Sequence, residues 1–553
     1  MRSGRASGRK SLTNKLLWAI PLTFVAVLFY WPIAKITTLG LSGDWLATLG
    51  EPKTLEVIWF TLWQAGLSTV VTLLIAIPGA YLLYRRSFPG QGLVKALITV
   101  PFVLPSIVVA VGFTVFRNAH EFWIELGLTF LSDPVYWIIA AHVFVNYSIA
   151  VRTIGGVWAT MDSEIEEAAE LDGAGRLKIL LAISLPQLRP AIFSAAALIF
   201  LFSATSFGIV LVLGGGQVET IETAIYFSAT QFLDLETAAA LVLVQTVITA
   251  AAFLVGSSLA KGTVGLEQVF EGSPKPRVDL RDLPATLLTA VIVVGLLVMP
   301  MLLVLVEAFK VGSGFGLQNF LNLSTRGARD LLNISVLHAA GNSIRNMLVA
   351  AVIAFGLGTL ISWLLVRTRQ KILDLVFLVP LGVSSVVLGF GFLVSFDADW
   401  FPLRSSWLIV PLAQALIALP MVLRLVYPAL VSIGKEPIEQ ASLDGASSFQ
   451  IWRFVESGMI KGVLLAALGY AAIISVGEFG ASSFLAYGSE ETIPTLLFRL
   501  IARPGEQNYG MAMAVSAILI VFCLLIVLLC APRLRAKKAP LGSVTDNLTG
   551  WSD

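Results

Sequence analysis

Twelve stretches of about twenty mostly apolar residues follow one another along this chain, the length a helix needs to cross the hydrocarbon core of a bilayer. They fall near 16–37, 56–83, 95–116, 134–155, 190–213, 236–259, 284–307, 345–366, 373–395, 406–427, 461–486 and 510–531. The 553 residues are 57% hydrophobic and only 13% charged, against about 25% charged in soluble domains. So apolar a chain cannot supply the polar exterior that a soluble fold needs. The expected fold is all-α: a polytopic membrane protein of about 12 transmembrane helices. Proline and glycine interrupt 95–116 and 373–395. Such breaks are tolerated where neighbouring helices or a cavity satisfy the freed backbone groups.

Arg2, Arg5, Arg9, Lys10 and Lys15 precede the first run. That run exceeds the apolar region of about 7–15 residues in a signal peptide, so it reads as a retained first helix. The net charge of +2 offers no strong field for nucleic acid, which is not an expected partner. Both cysteines, Cys523 and Cys530, sit in the last run, which suits neither a disulfide framework nor a zinc site.

Basic residues in short loops orient such a protein, because lysine and arginine stay on the cytoplasmic side. Arg85, Arg86 and Lys95, then Arg176, Lys178 and Arg189, share a side with the basic N-terminus. Arg367, Lys371, Lys435, Arg453, Arg533 and Lys537 fall on that side in the second half. Both termini are therefore expected in the cytoplasm of a cell whose inner or plasma membrane holds the protein. The polar stretch 262–283, with Pro274 and Pro276, divides the spans six and six. It reads as a cytoplasmic linker between a first half, 1–261, and a second, 284–535, followed by a tail, 536–553.

The two halves repeat one another. Glu167, Ala169, Asp172 and Gly173 reappear 272 residues later as Glu439, Ala441, Asp444 and Gly445. Phe207-Gly208 returns as Phe479-Gly480, and Thr220-Ile221 as Thr492-Ile493, at the same offset. Pro101 to Phe113 matches Pro380 to Phe392 at offset 279. Both copies have the same orientation, so they form a parallel repeat with a pseudo-twofold along the membrane normal. Transporter sites commonly lie at such repeat interfaces.

One cytoplasmic loop in each half, about 160–187 and 432–459, stands out. Six of the eleven residues from Asp162 to Asp172 are acidic. Ile165, Ala168, Ala169 and Leu171 interleave with them and give a short helix one apolar face. Gly173 then supplies a stop, since glycine takes the left-handed conformation without steric cost. A second helical stretch is expected to end before Pro186.

Glu167-Ala168-Ala169, then Gly173, then Ile183-Ser184-Leu185-Pro186, resembles the EAA loop of binding-protein-dependent ABC importer permeases. The resemblance implies the type I permease fold and a coupling helix that enters a groove on the ATPase subunit. It assigns coupling to Glu167, Ala168, Ala169 and Gly173, and to Glu439, Ala441 and Gly445 in the second copy. That copy departs from the pattern, with Gln440 for the first alanine and Ser457-Gly458 for Leu-Pro.

Three further stretches are similar to the fused permeases of thiamine and ferric-iron importers. They are Trp63-Gln64-Ala65 leading into Tyr84–Gly90; Leu213–Tyr226; and Ser475–Gly480. The resemblance implies a homodimeric ABC ATPase in the cytoplasm, an extracytoplasmic substrate-binding protein, and a small-molecule or metal-ion substrate.

The chain lacks a Gly-x-x-x-x-Gly-Lys-Ser/Thr phosphate loop. His120, His142 and His338 are scattered without metal-ligand spacing. It is expected to be no enzyme and to bind no cofactor, with ATP held by the partner. Asn146, Gln245 and Glu478 are polar residues inside apolar runs. Each is a candidate for the substrate pathway or an interhelical hydrogen-bonding group. An ion-coupled secondary transporter also uses repeats and twelve helices. It needs more buried ionisable groups than these runs offer, and it leaves the duplicated loop unexplained.

Overall fold

A computed structural model describes residues 17–42, 45–118, 125, 127, 129–259, 276–368, 376–377, 379–397, 403–503 and 505–530. The basic N-terminus, linker residues 262–275, His120, Lys371 and the tail 536–553 lie outside the described residues.

In the first half, α1 is Leu17–Ser42, α2 Pro52–Arg85, and α3 Gln91–Val103 is followed by α4 Ser106–Asn118. α5 is Pro134–Thr160, α6 Ser163–Leu171 and α7 Arg176–Ala204. α8 Phe207–Gly214, α9 Ile221–Thr230 and α10 Leu235–Leu259 complete it. The second half repeats this order. α11 is Leu280–Phe309, α12 Val336–Thr368, α13 Ser385–Ser395 and α14 Ile409–Val431. α15 Lys435–Leu443 precedes α16 Ser448–Met459 and α17 Lys461–Gly477. α18 Ser482–Leu485, α19 Ile493–Ile501 and α20 Glu506–Cys530 end it.

Among the described residues nine helices are long and apolar enough to cross a membrane, or up to eleven if each bent pair counts as one span. The pairs are α3/α4, bent by 104°, and α16/α17, bent by 83°. Stretch 95–116 thus breaks where Leu104 turns extended before Pro105, because a residue preceding proline is pushed out of the helical region. Of stretch 373–395 the continuous helix is α13, only eleven residues.

Two expected boundaries move. The helix expected over 190–213 begins at Arg176 and stops at Ala204. Pro186 does not end it: a π-helical turn over Leu180–Ser184 resets the register, and Pro186 falls in the first turn of the next α segment. There its missing N–H costs nothing. The helix expected over 461–486 stops at Gly477, after which Glu478 is extended.

On α2 the burial pattern inverts that of a soluble helix. α2 turns Thr61, Gln64, Ala65, Ser68 and Thr72 inward and leaves Trp59, Val70 and Leu74 on the outside. Lipid is as apolar as leucine, so small and hydrogen-bonding residues drive helices together there.

The repeat is visible in the hydrogen bonds. The Ile221 N–H donates to Thr61 Oγ1, and its mate Ile493 N–H donates to Ser343 Oγ, both at 2.9 Å. Thr220 and Thr492 each begin their helix with a capping box. Each half also reaches into the other. Gly112 of α4 lies against Pro300 and Val304 of α11, and its mate Gly391 of α13 against Pro32 and Ile36 of α1. At the centre the mates Phe207 and Phe479 stack, ring centroids 5.2 Å apart. The pseudo-twofold therefore runs between them. A Cβ on Gly480 would sit 3.0 Å from Ser385 Cβ and 3.2 Å from the Val386 nitrogen. Gly480→Ala should force α13 away from the chain that follows α17, a contact within the second half, at a cost of about 1–3 kcal/mol, the usual range for overpacking. A lowered Tm of the purified protein checks it, and an unchanged Tm argues against tight packing there.

Candidate functional site

The acidic loop folds from local signals. Asp162 caps α6, its carboxylate accepting from the Glu164 N–H at 2.9 Å. Gly173 takes φ +83° and lets the chain reverse. The Ala174 N–H then donates to the Ala169 carbonyl (2.9 Å) and the Gly173 N–H to the Glu170 carbonyl (3.0 Å). This is the Schellman closure of a helix end. Gly445, at φ +82°, builds the same closure: Ala446 onto Ala441 at 3.0 Å and Gly445 onto Ser442 at 3.1 Å. One turn type recurring at one offset makes the two loops structural mates, although the second has lost part of the sequence pattern.

Glu167, Ala168 and Gly173 are exposed, as are Glu439 and Gly445, while Ala169 and Ala441 are each half-buried. The tips carry unpaired apolar side chains. Leu171 is 90% exposed and its mate Leu443 88%; Leu177 is 69% exposed and its mate Phe449 70%. Apolar groups held out beside acidic helices, twice and in register, describe a surface that takes a partner.

Each loop is anchored at its base by a salt bridge that sequence reasoning misses. Arg85, at the end of α2, donates to Glu166 (2.5 Å), whose other oxygen accepts from Ser184 Oγ (2.7 Å). In the second half Arg367, the mate of Arg85, donates to both oxygens of Glu456 at 3.0 Å. Glu456 is the mate of Ser184, so the acid has moved from the acidic helix to the following helix while the arginine stayed. Aligning α2 with α12 at offset 282, which also pairs Gln64 with Asn346, is the signal that could have found this.

Asn146 and Gln245 meet at one place. Asn146 Nδ2 donates to Ser203 Oγ (3.2 Å), and Gln245 Nε2 to the Ala204 carbonyl (3.3 Å). Gln64 Nε2 joins them on the Ser203 carbonyl (3.0 Å). Three amides from α2, α5 and α10 thus surround the broken end of α7, where helix carbonyls lose their own partners. Glu478 lies at the equivalent break of the second half. Its carboxylate accepts from the Ala481 N–H (2.6 Å), the Ser482 N–H (2.9 Å) and Ser482 Oγ (2.6 Å). All three residues therefore hold the two breaks that present Phe207 and Phe479 to the seam. The Asn146, Gln64 and Gln245 side-chain carbonyls have no protein partner.

Among the described residues no group of three or more His, Cys, Asp or Glu side chains could hold a metal ion.

A family model described as the binding-protein-dependent transport system inner membrane component matches residues 73–263 and again 354–535. Each match contains one acidic loop. The thiamine transport system permease protein of Salmonella typhimurium is 28% identical over 94% of this chain and 98% of its own length. That of Brucella abortus is 28% identical over 97% and 98%. The ferric transport system permease protein of Actinobacillus pleuropneumoniae is 26% identical over 96% of this chain and 81% of its own.

Proposed function

Since the chain belongs to the family of binding-protein-dependent transport system inner membrane components, a multi-pass membrane permease of ABC importers, we propose that its two halves together form the complete substrate path, driven by two identical ATPase subunits. The family implies an ATPase and a binding protein as partners. The observation that carries the rest is the pair of mated loops, each ending in an exposed leucine, Leu171 and Leu443, beside a left-handed glycine. Two mated docking tips fit two copies of one ATPase chain. Glu167, Ala168, Ala169 and Gly173, with Glu439, Ala441 and Gly445, are the residues assigned to this contact.

In this reading ATP is bound and hydrolysed on the partner, and this chain binds no cofactor. Closing of the ATPase dimer draws α6 and α15 together, and the motion opens the stacked Phe207–Phe479 seam toward the loaded binding protein. Hydrolysis resets the path. Substrate shifts this equilibrium only through different affinity for the two states. Asn146, Gln245 and Glu478 are assigned to the pathway through the helix breaks they hold. Both loops, and with them both termini, face the cytoplasm.

We assign thiamine as substrate in preference to ferric iron. The thiamine permeases align over nearly their whole length, and among the described residues no group of three or more His, Cys, Asp or Glu side chains is placed to hold a metal ion. The test is uptake into proteoliposomes holding the permease, its ATPase and its binding protein. ATP-dependent accumulation of labelled thiamine is expected, and accumulation of ferric iron instead overturns the substrate. Uptake driven by an ion gradient without ATPase overturns the class. Reporter fusions after residue 222 should read outside and those after residue 270 inside; an inside signal at both overturns the orientation.

A further inference from the structure

At the end of the stretch that reads as linker, the chain returns to the base of the first acidic loop. The Ser87 N–H donates to the Pro276 carbonyl (3.0 Å) and the Val278 N–H to the Ser87 carbonyl (3.3 Å), a short parallel pairing. One turn later the Asp282 side chain is fully enclosed. Its carboxylate accepts from Arg86 Nε (2.9 Å), Arg176 Nη1 (2.8 Å), the Tyr81 hydroxyl (3.0 Å) and the Asp279 N–H (3.2 Å). Arg176 also lies 3.8 Å from Glu170 of the acidic helix and 3.6 Å from Asp279. One buried carboxylate at the entry of α11 thus gathers the end of α2, the start of α7 and, through Arg176, the last turn of α6.

We propose that Asp282 is a positioning residue for energy coupling, a latch through which the second half holds the first coupling helix. The inference rests on the coupling role of α6 given above. A buried carboxylate that satisfies two guanidinium groups fixes geometry more strictly than an exposed pair, because leaving either charge unpaired is costly. Through Arg176, which lies 3.8 Å from Glu170 and is held by Asp282, a shift of α6 bears on the start of α11. The far end of α11 packs on Gly112 of the first half, and the Gly312 N–H just beyond it donates to Glu506 of α20 (3.0 Å). Motion imposed on the first loop is delivered to both halves.

Among the described residues the second loop has no such latch. Ser448 stands at the mate of Arg176 and Thr368 at the mate of Arg86, so neither guanidinium is available. Its anchor, Arg367 on Glu456, lies within its own half. The latch is thus a device of the fused chain that the repeat does not duplicate.

The test uses the complete complex in proteoliposomes and reads substrate accumulated per ATP hydrolysed. Arg176→Gln removes the arm to the loop and leaves Arg86 on Asp282; Asp282→Asn removes the hub. Both should assemble and hydrolyse ATP while uptake per ATP falls about tenfold, within the usual range of coupling free energies. Arg176→Lys, which keeps a charge at that position, should recover part of the loss. A purely structural role lowers yield and Tm but leaves uptake per ATP unchanged. If both variants keep the wild-type ratio while replacement of residues 162–173 still uncouples, the latch is wrong and the coupling role of the loop stands. If that replacement also leaves the ratio intact, the coupling role falls first. If neither variant assembles, Asp282 is a folding clamp and the proposal is overturned.

Discussion

Replacing residues 162–173 with a glycine–serine linker of equal length should leave a correctly inserted protein that neither stimulates its ATPase nor accumulates substrate. The expectation follows from where the loop spends its interactions. Glu167, Ala168, Leu171 and Gly173 all face outward, so their removal exposes little that is now buried. The contacts to the rest of the chain run mainly through Glu166, with Arg85 and Ser184, and through Glu170 near Arg176. When Glu166 is lost, Arg85 keeps its bond to the Met161 carbonyl at 2.9 Å, but its side chain is only 12% exposed. The folding cost therefore lies between that of an exposed ion pair, about 1 kcal/mol, and that of breaking a buried one, about 3–5 kcal/mol, and is borne by the packing of α2, α5 and α7. A flexible linker has no fixed helix to seat in a partner's groove, and a coil transmits no push. Membrane insertion by protease protection and ATPase activity of the co-purified complex decide the matter. Retained stimulation removes α6 from the coupling mechanism.

The sequence can be read as far as this loop because its signals are local or periodic. Apolar runs of fixed length mark spans, an Asx cap and a glycine mark the ends of α6, and a constant offset marks the repeat. What the sequence hides has a common physical character: it depends on pairing across distance. The break after Ala204 looks like a continuous apolar run, whereas Pro101 and Pro105 already mark 95–116 as interrupted. Hydropathy does not register whether a helix end finds its partners along its own helix or on other helices, where Gln64 and Gln245 take its carbonyls and Asn146 its Ser203 hydroxyl. In the sequence those amides are isolated polar residues, and only packing shows that they serve one helix end. Pro186 reads as a stop because the π turn that makes it harmless is a matter of register. Asp282 falls in the stretch that reads as linker. Nothing about an Asp-Leu-Arg-Asp run announces that its last carboxylate is enclosed by arginines 106 and 196 residues upstream.

The two loops should not be equally sensitive: Gly173→Val and Glu167→Ala should reduce uptake more than Gly445→Val and Glu439→Ala. The intrinsic strain is the same on both sides. Both glycines hold a φ near +83°, a Cβ added at either would meet no atom within 4 Å, and valine in that conformation costs on the order of 1–2 kcal/mol in either loop. A difference must therefore come from what each loop is tied to. Distortion at Gly173 bears on Glu170 and Ala169, which close the turn, and Glu170 faces Arg176. It is thus passed to the buried Asp282 and on to α11. Distortion at Gly445 bears on Ser442 and Ala441, and the ion pair nearest to that loop, Arg367 with Glu456, lies beyond the turn in α16. The partner surface differs as well. The first loop presents six acids from 162 to 172, the second only Glu436, Glu439 and Asp444 after Lys435. Charge-assisted contacts to a basic groove are the stronger kind, so each acid lost from the first loop removes part of a denser set. A strict requirement that both loops move together predicts equal losses instead. Uptake and ATPase binding of the four single variants at matched expression separate the two: equal losses, or larger ones in the second half, sink the asymmetry and leave coupling by both loops in place.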